Sequence, residues 1–217
     1  MVLAARMGLS VPKVIIRHGR DRLYIVERFD REKSKDGKIL RRHQEDFCQA
    51  LSILPDQKYE SEGGPSLAQC FTLLKERSVS PAADQKVLLS WVIFNFLLGN
   101  ADAHAKNLAI ICTERGPRLA PFYDLISTHV YPDLLDKFVM RIGGENRPEW
   151  IQPRQWERFS ADVNIGARLV LQILREMGRN IFSQADDVAK DFYAKFGKAA
   201  IIGKFLESIK KRATKIT

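Results

Sequence analysis

Apolar positions along the chain fall into distinct rhythms. Val14-Ile15-Ile16 and Leu23-Tyr24-Ile25-Val26 are short β-branched and aromatic runs on either side of a polar turn at His18 to Asp21, which predicts a β-hairpin. Leu67, Cys70, Phe71 and Leu74 recur at helical spacing behind Ser66, an N-cap residue type, so a helix is expected to run to about Arg77. Pro81 opens a longer helix that reaches Leu98 and is apolar nearly all round, the mark of a helix at the centre of a core. His43 to Leu51 shows helical spacing through Phe47, Ala50 and Leu51, and Val2 to Met7 reads as the last turns of a helix ended by Gly8. From Pro153 the pattern is helical again: Gln155 to Val163, Ile165 to Met177, and two segments after Phe182.

Polar stretches separate these elements. Lys33 to Lys38 is a charged loop, Tyr59 to Pro65 a Gly/Pro loop and Gly99 to Asn107 a polar loop. Leu108 to Cys112 reads as a strand, which Arg115-Gly116-Pro117 turns back into Leu119-Ala120 and on to Tyr123-Asp124. Phe138 to Ile142 reads as a further strand closed by Gly143-Gly144. The expected fold class is α+β, mainly helical, with a small β portion over residues 1–40 and a helical body over 41–217. No internal repeat or low-complexity tract interrupts it.

With 217 residues, 45% of them hydrophobic, the chain can bury one sizeable core, or one large and one small lobe. Its longest apolar run, Val87 to Leu98, is interrupted by Ser90 and Asn95 and is too short to span a bilayer. The first residues lack an apolar signal region, so a soluble, cytoplasmic protein with no membrane partner is expected. Cys48, Cys70 and Cys112 are odd in number and widely spaced, which predicts reduced, mostly buried thiols. The net charge of +9 favours nucleic acid, nucleotide phosphate or an acidic partner. Part of that excess lies in Lys204, Lys210, Lys211, Arg212 and Lys215, which also suit a solvated helix end.

Gly99-Asn100-Ala101-Asp102-Ala103-His104-Ala105-Lys106-Asn107 concentrates functional side chains in one loop, between a core helix and a hairpin that leads to Asp124. Phosphoryl transfer needs an acidic group near the attacking hydroxyl, oxygen ligands for Mg2+ and positive charge near the phosphates. In that reading Asp102 orients or deprotonates the substrate hydroxyl, Asn107 and Asp124 hold Mg2+, and Lys106 neutralises the transferring group. Protein kinases use the same order of base Asp, metal Asn and metal Asp. Asp102 and Asn107 also suit turn caps, and Asp124 a helix cap. His104 has no second histidine at ligand spacing, which points to a structural or nucleotide-contacting imidazole. His18, His43 and His129 are isolated and carry no assigned role.

Six blocks in order resemble the HipA family of serine/threonine protein kinases, the toxins of bacterial toxin–antitoxin pairs. They are Val26-Glu27-Arg28-Phe29-Asp30-Arg31; Arg42 to Ala50 with its Gln44-Glu45-Asp46; Tyr59-Glu60 with Gly63-Gly64-Pro65; Phe94-Asn95 with the Gly99 to Asn107 loop; Leu119 to Thr128; and Ile142-Gly143-Gly144. The resemblance covers roughly the first two-thirds of the chain; the helical tail fits in kind without a sharp motif. It implies a two-lobed kinase-like fold with ATP in the cleft. Glu27, Arg28 and Phe29 would form the hinge toward adenine, Asp30 would reach the ribose, and Asp102 would be the catalytic aspartate. His104, Ala105, Lys106, Asn107, Tyr123 and Asp124 would be the nucleotide and metal contacts. Gln44-Glu45-Asp46 is equally a polar helix face, and Val26 to Arg31 by itself an ordinary strand end.

Implied partners are a protein substrate phosphorylated on serine or threonine and a small DNA-binding antitoxin, with operator DNA reached through it or through the basic surface. The family also carries a glycine-rich phosphate loop, a strand lysine and a helix glutamate before this point. None is found upstream of the hinge here, where Lys13 directly follows Pro12 and lies too close to the hairpin. The expectation is a kinase portion with weak or absent ATP turnover by itself: half of a split gene whose first lobe comes from a separate chain, a fragment or misplaced start of a longer chain, or a decayed kinase. The alternatives are an inactive scaffold that binds antitoxin and DNA, and a small-molecule kinase.

Overall fold

The computed structural model describes residues 1–134 and 136–216. A short helix α1 (Val2–Arg6) leads into the hairpin β1 (Val14–His18) and β2 (Arg22–Val26), paired from Val14 opposite Val26 to His18 opposite Arg22. A second small hairpin, β3 (Arg31–Lys33) and β4 (Ile39–Arg41), frames the charged loop. β5 (Gln44–Asp46) then joins β6 (Ala109–Thr113) and β7 (Gly116–Leu119) in an antiparallel sheet of order β5-β6-β7.

Helices supply the bulk. α2 (Phe47–Ala50) is a single turn, and α3 (Leu67–Arg77) starts at Ser66, whose hydroxyl accepts the Gln69 N–H in a capping box. α4 (Pro81–Leu98) is the axis of the core. Leu88, Leu89, Trp91, Ile93, Phe94 and Leu97 are almost wholly buried on all its sides, because α3, α6 (Ala167–Phe196) and α7 (Ala200–Ala213) surround it. α5 (Pro153–Asp162) packs on α6 and carries Trp156 and Phe159 into the same core. The fold is thus α+β and mainly helical, with small sheets ahead of and beside a helical body. Among the described residues no helix is long and apolar enough to cross a membrane.

Three expectations about elements change. The first half of His43 to Leu51 is strand, because Gln44–Asp46 pairs with β6. Its helix begins only at Phe47, where the Asp46 carboxylate accepts the Gln49 N–H at 2.9 Å and returns the chain as an N-cap. Phe138 to Ile142 joins no ladder. Phe138, Met140 and Ile142 alternate into the core as a strand would, but Phe138 N–H goes to Asn146 O and Val139 N–H to Ala101 O. The tail holds one 30-residue helix where two shorter ones were expected, and the break comes only at Gly197, with φ +82°. Cys48 and Cys70 are buried, whereas Cys112 is exposed; all three are free thiols.

Candidate active site

The loop after α4 is held from beneath by buried amides. Gly99, at φ +74°, turns the chain out of the helix. Asn95, one turn back, donates to Trp91 O and accepts from Asn100 Nδ2, both at 2.8 Å. Asn100 Oδ1 in turn accepts the Asp102 N–H at 3.2 Å. Thr128 Oγ1 accepts Ala101 N–H at 2.7 Å and Ser127 Oγ donates to Leu98 O at 2.8 Å, so a second segment clamps the loop base. Buried polar groups with partners specify one geometry. Asp102 emerges from this base with its side chain 41% exposed, and His104 Nε2 lies 3.9 Å from its carboxylate.

His104 and Asn107 close the loop. Asn107 Oδ1 accepts the His104 N–H at 3.1 Å, and Asn107 Nδ2 donates to Asp124 Oδ2 at 2.8 Å. Burial pushes the His104 imidazole down; Asp102 opposes that and Lys58 adds to it. Asp124 sits at φ +56°, a left-handed conformation that Asp tolerates better than most residues. Strain of this kind gathers at functional sites. Beside it Tyr123 donates from its hydroxyl to Lys106 O at 2.6 Å and stacks on Phe29, with ring centroids 5.8 Å apart. Burial, with Asp46 and Asp124 adding to it, pushes the Tyr123 phenol up to about 12, so it stays a neutral donor.

One cavity of about 370 Å3 lies between the strand end and these residues, lined by Glu27 to Asp30 from one side and Tyr123 and Asp124 from the other. Gln44 also lines it, and its Oε1 is buried without a hydrogen-bond partner. A buried acceptor left unpaired beside a cavity marks a polar stretch of its wall. Asp124 offers carboxylate oxygens, and Asn107, whose Nδ2 faces Asp124, keeps one lone pair of Oδ1 beyond the His104 N–H. Mg2+ characteristically takes one or two carboxylates together with substrate phosphates, so this donor set fits it. Among the described residues no three His, Cys, Asp or Glu side chains converge as a metal cluster.

Not every anticipated contact sits alike. Asp30 is buried and engaged by both Arg28, at 2.6 and 2.7 Å, and Arg31. The Arg28 hydrogen bond holds its carboxyl down at about 2 in spite of burial. Ala105 is fully buried and presents only backbone. The cavity gathers Glu27, Arg28, Phe29, Asp30, Tyr123 and Asp124, while Asp102, His104, Lys106 and Asn107 belong to the adjoining loop.

Sequence reasoning passed over Lys58 and, though it placed Tyr59 in a block of resemblance, gave it no role. The Lys58 ammonium lies over the Tyr59 ring, 4.7 Å from its centroid, and that ring tilts against His104 at 5.7 Å. Contact with Tyr59 raises the Lys58 pKa; burial opposes this, and the fields of Asp102 and Asp124 support it. Lys58 is therefore a cation beside the acidic loop. The Lys-Tyr-Glu run before Gly63-Gly64-Pro65 was the available signal, and it read only as the edge of a turn.

A family model described as the HipA-like C-terminal domain matches residues 1–185. Y4mE of Sinorhizobium fredii is 41% identical over 214 residues, covering 98% of this chain and 51% of its own length. The serine/threonine-protein kinase toxin HipA of Shewanella oneidensis is 34% identical over 194 residues, covering 83% of this chain and 45% of that protein. The chain thus spans about half the length of these relatives. The Shewanella oneidensis HipA structure, solved with HipB and operator DNA, superposes with a TM-score of 0.88 at 30% identity, covering 98% of this chain and 53% of that one. The Helicobacter pylori proinflammatory kinase CtkA shares the fold at a TM-score of 0.59 and 12% identity, covering 98% of this chain and 80% of that one.

Proposed function

This chain belongs to the HipA-like C-terminal domain family, and we propose that it is the catalytic-loop portion of a protein kinase that transfers phosphate from MgATP to a serine or threonine hydroxyl. The observation that carries this reading is the 2.8 Å bond between Asn107 and Asp124, which joins the loop of Asp102 to the turn that borders the hinge cavity. Glu27 to Phe29 offer backbone groups to adenine and Asp30 lies toward the ribose. His104, Ala105, Lys106 and Tyr123 border the phosphates. Asp102 accepts the hydroxyl proton as the oxygen bonds to the γ-phosphorus and ADP leaves. Asn107 and Asp124 would hold Mg2+, whose charge would offset that of the phosphates.

The Shewanella oneidensis relative was solved with HipB and operator DNA. By that likeness we extend the proposal to a small DNA-binding antitoxin as partner, in a toxin–antitoxin module, with DNA contacts drawing on the net charge of +9. A further segment or a separate chain completes the first lobe. The β1–β2 hairpin favours this, since Ile15, Leu23, Tyr24, Ile25 and Val26 leave 40–59% of their surface uncovered. The same hairpin keeps a second reading alive, a scaffold that binds antitoxin without turnover.

Thermal unfolding with and without MgATP separates them. A nucleotide at about 100 times its dissociation constant adds ~2.7 kcal/mol to folding stability. The kinase reading expects that gain with MgATP, diminished by Asp124→Ala, and antitoxin binding unaffected by Asp102→Asn. It also expects phosphorylation to be lost in Asp102→Asn once the first lobe is restored. No thermal shift, with antitoxin still bound, would leave the scaffold.

A further inference from the structure

On the far side of the catalytic loop lies a second, larger cavity of about 660 Å3. One wall is α7 and the turn after it, with Lys204, Lys210, Lys211, Arg212 and Lys215; the other includes His129 and Glu149. Glu149 and Glu207 are the acidic residues of the lining, so cations outnumber them.

The telling residue is Arg212. Its guanidinium is largely buried, yet among the described residues no carboxylate is in ion-pair contact with it. It donates to Ser208 and lies 2.7 Å from His129 Nδ1. Arg212 Nε and His129 Nε2 are both buried without a hydrogen-bond partner. Burial pushes the guanidinium down to about 10, with Glu149 opposing from a distance. A desolvated cation facing an imidazole instead of an anion is an unfavourable arrangement unless a counter-charge arrives. Arg212 Nη1 is spent on Ser208, but Nη2 keeps one N–H beyond the one directed at His129, and the neighbouring lysines add further donors for phosphate oxygens.

We propose that this cavity is an anion site for a small phosphate-bearing ligand, with Arg212 as its fixed donor and Lys204, Lys211 and Lys215 as its rim. A concave, partly walled pocket with two carboxylates in its lining suits a compact anion better than the continuous backbone of duplex DNA, which needs a long basic stripe. The site also bears on the catalytic loop. A Cβ built on Gly99 would fall 2.7 Å from Arg212 Nη1, and the His129 N–H donates to Gly99 O at 3.2 Å. A ligand that draws Arg212 toward itself acts on the residue where α4 turns into the Asp102 loop. This assignment stands on its own lining and does not depend on the kinase reading.

The test is calorimetric titration of the full chain with inorganic pyrophosphate at fixed ionic strength. Wild type and Asp102→Asn are expected to bind it saturably. The exposed double change Lys211→Gln with Lys215→Gln should weaken binding at least tenfold while thermal unfolding without ligand stays unchanged, and Arg212→Lys should weaken it too. Absence of saturable binding overturns the proposal. So does equal affinity in the Lys211/Lys215 variant, or duplex DNA binding to the same lysines that pyrophosphate fails to displace.

Discussion

At the scale of single residues, Asp84 shows how a buried charge is made tolerable. It sits in the first turn of α4, where its carboxylate accepts from Arg118 at 2.8 and 3.0 Å, from Ser78 Oγ at 2.6 Å and from the Leu119 N–H at 3.0 Å. Burial by itself would raise its pKa; the Arg118, Ser78 and Leu119 bonds outweigh it and the pKa is lowered. A carboxylate depressed in the folded state stabilises above its unfolded value, and that contribution disappears as pH falls through the folded one. Asp84→Ala is expected to lower unfolding free energy by about 1–3 kcal/mol at neutral pH, because it leaves the Leu119 N–H and the Ser78 hydroxyl without their acceptor. Urea titration reads this directly, and the gap to wild type should narrow in acid; a loss below about 1 kcal/mol would mean that the network contributes little. Asp84 carried no sequence signal beyond a first-turn acid. The nearness of Asn107 to Asp124 was legible, because a short hairpin brings the ends of neighbouring segments together. Lys58 was not, since a loop far upstream carries it to Asp102 through tertiary folding alone.

At the scale of elements, the turn that carries Lys58 depends on Gly64. A Cβ there would lie 2.4 Å from Gln57 O and 2.8 Å from Tyr59 O, both of them backbone atoms that cannot swing aside. The Gly64 N–H also donates to Tyr59 O at 2.9 Å, and Glu60 anchors the turn by accepting the Arg141 N–H at 2.7 Å. Gly64→Ala is expected to destabilise by about 1–3 kcal/mol, as overpacking does. It should also loosen Lys58 and Tyr59, read as sharpened side-chain resonances of Tyr59; an unchanged melting temperature would show that the turn relaxes freely. The sequence pattern located α3, α4 and the first hairpin because each has a clean period and a cap or turn at its ends. It failed at β5, where three polar residues form a strand only because β6 is there to pair with. It failed again at Phe138 to Ile142, where alternating burial arises without a ladder and periodicity cannot tell the two apart.

At the scale of the whole molecule, the first elements of the chain are fastened to the far end of α6. His18 at the end of β1 stacks on Phe196 at the end of α6, with centroids 5.0 Å apart and planes 7° from parallel, and Arg6 pairs with Asp191. α6 itself is about 45 Å long at 1.5 Å per residue, running from the core beneath α4 out to the hairpin. Composition and periodicity gave the helical body and the small β portion, but no local pattern announces a contact between residues so far apart in the chain. A two-stranded hairpin has little stability of its own, so its persistence depends on that fastening. Hydrogen exchange should find the amides of Arg22–Val26 and of the last turns of α6 opening together, and His18→Ala should speed both; independent rates would show that the stack carries no coupling. In mechanical terms α6 is a boom with the hairpin lashed to its tip, so whatever later docks on the exposed apolar strands pulls at one end of a rod whose other end is set in the core.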